Sequence, residues 1–177
     1  MAIRGFHPIP ARIIQVLKDF LPAELDLIDA DESQDATPDI GAGDYWEYLK
    51  PLVADFPAVR IDVVGMSPEE TLVDSAGQLP GRLTGAYQFD IWADVQIDTA
   101  VQDALSLQKL VTTYSMGIFR VLCILKDGLQ TTADDTRFAH TVVPGGDVRV
   151  VTHESPSEGN LVRSGVVPII VTRIETR

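Results

Sequence analysis

The chain has 177 residues, and its 26 acidic residues outnumber its 14 basic ones, which gives a formal net charge of −12 at pH 7. This length is typical of one domain, and the hydrophobic share of 45% is enough for a packed core. The acidic balance argues against a nucleic-acid clamp, which needs clustered Lys and Arg. Cys123 is the only cysteine, so an intrachain disulfide is excluded. Without a secretory leader pattern or an apolar run of about 20 residues, we expect a soluble, intracellular protein with no membrane span.

The first predicted element is an amphipathic helix over Pro10–Leu21, because apolar residues recur there at spacings of three and four. Pro22 is expected to end this helix or to start a second short turn. The stretch that follows, residues 23–50, carries nine acidic residues and no basic residue before Lys50. Its Pro and Gly residues interrupt any regular pattern, so we predict a long acidic loop.

Three aromatic residues close the acidic loop, namely Tyr45, Trp46 and Tyr48. Large aromatic side chains are costly to leave in water. We therefore expect this end of the loop to dock on another surface.

Two strands are predicted next. Residues 58–65 are rich in β-branched side chains, and residues 83–97 are the clearest strand, because every second residue from Tyr87 to Ile97 is apolar while the others, apart from Trp92, are polar. The alternation places one apolar set on one face of the second strand and a polar set, which includes Asp90 and Asp94, on the other. Such a strand is typical of an antiparallel sheet that is covered on one side.

A long helix is predicted from Thr99 to about Lys126. Its C-terminal half, Ile118 to Leu125, is apolar nearly all round, so we expect cover on more than one side. Gly117 is unfavourable inside a helix by about 1 kcal/mol, which indicates close packing or a kink there.

The chain then closes with a β-hairpin over 138–176, in which Pro168 cannot donate a ladder hydrogen bond and so marks an edge or a bulge. The elements together predict a single α+β domain over 1–177. Its antiparallel β-sheet of about four strands packs against two helices, in the order α-β-β-α-β-β, with the long acidic loop 23–50 after the first helix.

Patterns for metal binding and nucleophilic catalysis are weak. Of the three histidines, only His140 and His153 could meet, across the hairpin. Cys123 lies in the apolar half of the long helix and is expected to be a packed thiol. No metal site and no cofactor are predicted.

A carboxylate pair is the remaining route to catalysis, with Glu69 and Glu70 or Asp90 and Asp94 as its members. The second pair would lie on one strand face about 13 Å apart, which exceeds the separation in retaining glycosidases. No base, nucleophile or oxyanion group accompanies either pair, so we predict that the protein is not an enzyme.

The order and proportions of these elements resemble the tail terminator (tail completion) proteins of long-tailed bacteriophages. The elements that carry the resemblance are the helix Pro10–Leu21, the strand around 59–63, the alternating strand Gly85–Ile97, the long helix from Thr99 and the closing strand 170–176. The resemblance covers most of the chain and is one of architecture. It implies subunits that form a homohexameric ring, which terminates the tail tube and joins it to the head connector while DNA passes through without being bound.

The partners that the resemblance implies are copies of the same chain, the tail tube protein and the head connector or neck protein. It also implies a structural protein of the virion that assembles in the host cytoplasm. The residues expected at the subunit interface are Tyr45, Trp46, Tyr48, Pro168, Arg173 and Arg177. Two alternatives stay open: a neck or head-closure protein of the same virion, and, ranked lower, a small enzyme with a carboxylate site.

Overall fold

The computed structural model of the protein describes residues 8–32, 36–47, 56–69, 82–97, 104–125, 129, 140–154 and 161–176. The helical elements in this part of the chain are α1 (Pro8–Glu32), α2 (Ala104–Phe119) and a π-helical segment, Arg120–Leu125, that continues α2. The strands are β1 (Tyr45–Trp46), β2 (Ala58–Glu69), β3 (Arg82–Ile97), β4 (His140–Pro144), β5 (Arg149–Glu154) and β6 (Leu161–Thr176).

The six strands form one mixed sheet in the order β1-β2-β3-β6-β4, and β5 also pairs with β6. Every pairing is antiparallel except that of β1 with β2, which is parallel. The α+β class with two helices is confirmed, whereas the expected antiparallel sheet of about four strands is wrong. The count differs because β1 is too short to show a sequence period and because the first arm of the hairpin is divided into two strands.

The central strand β3 has one apolar and one polar face, as its alternation predicts. Phe89, Ile91 and Ala93 are buried, and their partners on β2 and β6 are buried too, apart from the partly buried Val63 opposite Phe89. The two helices cover this face and complete the core with their own apolar side chains. The opposite face of β3 presents the polar residues Asp90 and Asp94 on either side of Trp92.

The first helix continues through Pro22, so the expected loop over 23–50 is wrong as far as Glu32. A proline inside a helix costs about 3 kcal/mol because its ring clashes with the preceding turn and it has no N–H. Leu25 and Ile28 extend the buried stripe past the proline and are both nearly inaccessible to solvent. Each such burial contributes about 1.5–3 kcal/mol, which outweighs the proline.

The second helix lies against both α1 and the sheet at positions where a side chain is small or absent. A Cβ atom at Gly117 would lie 2.9 Å from a Leu21 methyl carbon and 3.0 Å from one of Leu25. A Cβ atom at Gly165, on β6, would lie 1.8 Å from Ser115 Oγ of α2. The predicted close packing at Gly117 is therefore confirmed, and α1 supplies the contact.

The C-terminal hairpin is broken on one arm, between β4 and β5. Pro144 pairs with Ile169 and Arg149 with Val166, so the break faces Pro168. The Gly145 N–H donates to the Pro168 carbonyl at 2.8 Å. Because the N–H and C=O of one strand residue point to the same neighbour, the missing N–H of Pro168 faces the break. Of the two expected positions for Pro168, an edge or a bulge, the edge is wrong, since β6 lies between β3 and the β4–β5 arm, and an interruption of the pairing lies opposite the proline instead.

Candidate functional site

Two acidic residues of the predicted loop belong to the interior of the fold. The Glu24 side chain is almost fully buried and forms an ion pair with Arg120 of the π-helical segment, with Nε and Oε1 2.7 Å apart. Asp29, also buried, accepts hydrogen bonds from the backbone N–H of Thr37 at 2.5 Å and from its hydroxyl at 2.6 Å. These carboxylates therefore hold α1 to the helix beside it and to the segment that follows it.

The aromatic cluster divides between the core and the surface. Tyr45 is buried in the main core, with the Lys18 ammonium 5.4 Å from the centre of its ring. Burial, reinforced by the charge of Asp39, raises the pKa of Tyr45 to about 12. Trp46 is half-buried, whereas Tyr48 lies outside the described residues. The chain's own core is thus the surface on which Tyr45 docks.

The other three residues expected at an interface lie at one end of the chain. Pro168 is buried within β6. Arg173 lies in the same strand, in register with Gly85 and His140. Arg177 lies outside the described residues. The structure does not bring these residues together with Tyr45 or Trp46 through any described contact.

The carboxylates Asp90 and Asp94 share the polar face of β3, and an arginine engages each of them. Arg60 donates to both oxygens of Asp94, from Nε to Oδ2 and from Nη2 to Oδ1, and the second bond is 2.9 Å long. The Ser164 hydroxyl donates to the same carboxylate at 2.5 Å. Arg149 donates to Asp90 at 2.7 Å. Such charge-assisted bonds, forked at Asp94 and single at Asp90, orient the carboxylates and occupy acceptor positions. This geometry is that of a structural cluster joining β2, β3, β5 and β6.

The other residues considered for chemistry are dispersed. His140 pairs with Arg173 and His153 with Val162, so the two histidines lie about 35 Å apart along β6 and cannot share a ligand. Glu69 ends β2, and Glu70 lies outside the described residues. Cys123 is half-buried, and desolvation raises the pKa of its thiol to about 11, which opposes a nucleophilic role.

An apolar groove lies between α2 and β5, on the helix-covered side of the sheet. It has a volume of about 370 Å³ and is lined by Thr112, Ser115, Met116, Phe119, Val148 and Val150. Met116, Val148 and Val150 are each roughly 40% exposed. Strand β5 pairs with β6 alone among the described strands. The groove therefore combines apolar side chains with an open strand edge, which is the combination that protein interfaces use.

The groove follows one stripe of α2. Leu105, Lys109, Thr112, Met116 and Phe119 recur at spacings of four and three, and the first four of them are exposed. The core residues Val111, Ile118 and Leu122 form a separate, buried stripe. Sequence reasoning treated the apolar residues of the helix as one stripe and so missed the groove. The available indication was that this helix has more apolar residues than one stripe can hold.

Comparison with known proteins adds no constraint on function: the sequence matches no protein-family model and no curated protein. No helix among the described residues is both long and apolar enough to cross a membrane. Within the same residues, no three His, Cys, Asp or Glu side chains are grouped so that they could hold a metal ion.

Proposed function

We propose that the protein is a structural subunit that assembles with copies of itself into a ring, and that this ring terminates a bacteriophage tail tube and joins it to the head connector. The observation that supports self-association is the groove between α2 and β5. Met116, Val148 and Val150 leave an apolar surface beside an open strand edge, and a second protein surface would remove both from water. The placement at a tail tube comes from the resemblance of the element order to tail terminators.

The remaining architecture is compatible with such a subunit. A sheet backed by two helices on one face is what the resemblance implies, and helices and sheet share one continuous core. On the polar face, Arg60 and Ser164 bind Asp94 and Arg149 binds Asp90. The proposed role needs rigidity and surface complementarity and makes no use of a catalytic group.

The charge of the chain also suits a ring through which DNA passes. The formal net charge is −12, and a channel lined by such subunits would repel the phosphate backbone and so not retain the nucleic acid. We accordingly expect no measurable DNA binding at physiological salt.

The first experiment is to measure the mass of the purified protein by light scattering and to image the same fraction by negative-stain electron microscopy. We expect annular particles with the mass of a hexamer of 19.3 kDa subunits. A protein that stays monomeric at every concentration up to about millimolar, where even weak contacts form, would contradict the proposal.

A second experiment separates the tail terminator from a neck protein. Preformed tail tubes and purified head connectors are each incubated with the assembled ring, and the pelleted complexes are analysed. A tail terminator should bind the end of the tube as well as the connector. Binding to the connector alone would identify a neck or head-closure protein instead.

A further inference from the structure

We infer that the groove between α2 and β5 of one subunit receives the C-terminal half of α1 from a second copy of the chain. This inference rests on the proposed ring and specifies which surfaces join its subunits. It requires a donor surface that fits the groove in shape and charge. It also requires that the donor surface of a chain cannot reach the groove of the same chain.

The acceptor surface is apolar, with basic residues at one end. Met116 and Phe119 form the helical wall and Val150 belongs to the strand wall. Lys109 is exposed two helical turns before Met116, on the same stripe of α2. Arg163 lies on the same sheet face as Gly165 and is paired with β5, and its buried Nε has no hydrogen-bond partner among the residues that the structure describes. This end of the groove therefore favours an acidic partner.

The donor surface lies on the outer side of α1. Ala23, Leu27 and Ala30 are exposed at spacings of four and three, and Leu27 is 57% exposed. Asp26 and Asp31, also exposed, flank this stripe on its two sides. A leucine between two small residues projects as a single apolar knob, and its borders are acidic. This is the complement of an apolar groove with a basic end.

The two surfaces cannot meet within one molecule. Helix α1 packs on the Gly117 side of α2, where Leu21 and Leu25 touch it. Thr112, Met116 and Phe119 lie on a different side of α2, next to β5. The knob and the groove therefore face away from each other across α2. Contacts between unlike surfaces of identical subunits are head-to-tail, and when the rotation between subunits closes they produce a ring.

The test uses the full chain in two variants, each of which blocks one surface. Leu27→Glu places a charge on the knob, and Met116→Glu places one in the groove. A charge buried at the centre of an interface weakens association by about thirtyfold or more, so each variant alone should be monomeric by light scattering. Met66→Glu is the matched control, since Met66 is an exposed methionine on β2, outside both surfaces, and this variant should keep the ring.

The decisive measurement is an equimolar mixture of the two blocked variants. Each mixed pair retains one intact knob and one intact groove, so head-to-tail association predicts a heterodimer that grows no further. Monomers in the mixture, or a ring formed by either variant alone, would overturn the inference while leaving the ring of the unmodified protein intact. An unmodified protein that is itself monomeric would instead overturn the proposed function. Should a glutamate variant unfold, Leu27→Ser and Met116→Ser repeat the test with smaller changes at the same positions.

Discussion

Helix α2 has two kinds of surroundings, and the difference between them shows where the fold is complete and where it is open. Towards α1 and the sheet, Gly117 and Gly165 allow contacts so close that an added Cβ atom would overlap its neighbours. Towards β5, Met116 and Phe119 line a groove of about 370 Å³. The first surroundings are packed like a protein interior. The second is also lined by apolar side chains, but among the described residues it leaves a groove.

The largest effect is expected from filling the contact between α2 and β6. In Gly165→Val the new side chain must displace Ser115 Oγ, which a Cβ atom alone would approach to 1.8 Å. We expect the free energy of unfolding to fall by about 3 kcal/mol or more, as measured by chemical denaturation. Adding Ser115→Ala should recover part of this loss, because it removes the displaced oxygen. A loss below about 1 kcal/mol would show that α2 is not tightly held on the sheet.

A slightly smaller effect is expected from breaking the ion pair that joins α1 to the end of α2. Arg120→Met leaves the buried Glu24 carboxylate without its cation, and we expect a loss of about 2–3 kcal/mol. Combining it with Glu24→Gln should cost less than the sum of the two single changes, because no unpaired charge is then buried. Additive single and double variants would mean that the pair contributes nothing specific.

The two sides of α2 can be compared directly with the same new residue at adjacent positions. Gly117→Leu must fit against Leu21 and Leu25 and should cost about 2 kcal/mol despite the better helix propensity of leucine. Met116→Leu changes a residue that is 39% exposed and should alter the free energy of unfolding by less than about 0.5 kcal/mol. Equal losses at the two positions would contradict the distinction between a packed side and an open side.

The last expected effect is kinetic and concerns Cys123. Burial raises the pKa of its thiol from 9.0 to about 11, so at pH 8 the folded protein has about a hundredfold less thiolate than the unfolded chain. Alkylation by iodoacetamide should be slower by a similar factor in the native protein than in denaturant. The thiol also makes stability depend on pH: its contribution is fully present below pH 9 and decreases as pH rises towards 11. A native rate within tenfold of the denatured rate would mean that Cys123 is not desolvated.

Strand β3 was predictable from sequence because its period of two extends from Tyr87 to Ile97 and makes its two faces differ in polarity. The extension of α1 past Pro22 was not, because the local cost of a proline is visible in the sequence whereas the burial of Leu25 and Ile28 is not. For a related reason, the sequence could place Pro168 only at an edge or a bulge. A proline in a strand indicates an unpaired N–H position, but only the break between β4 and β5 shows that this position lies inside the sheet.

The candidate site was still less accessible to sequence reasoning. Met116 and Phe119 are residue types that usually lie in a core. The spacing of apolar residues along α2 does not show which of its two apolar stripes the sheet will cover. The acidic stretch was recognised as a feature, yet the sequence does not distinguish Glu24 and Asp29, which are buried, from Asp26 and Asp31, which are exposed. Burial of a carboxylate depends on whether Arg120 or Thr37 reaches it, and both partners are separated from it in the chain.

The sequence by itself determined the α+β class, the existence of both helices, the two faces of β3 and the acidic balance of the surface. These properties follow from local periodicity and composition, which each segment carries alone. The tertiary structure decided the length of α1, the division of the hairpin arm, the arginine partners of Asp90 and Asp94, and the groove beside β5. Each of these depends on contacts between segments distant in the chain, whose free energies overrule or select among the local preferences.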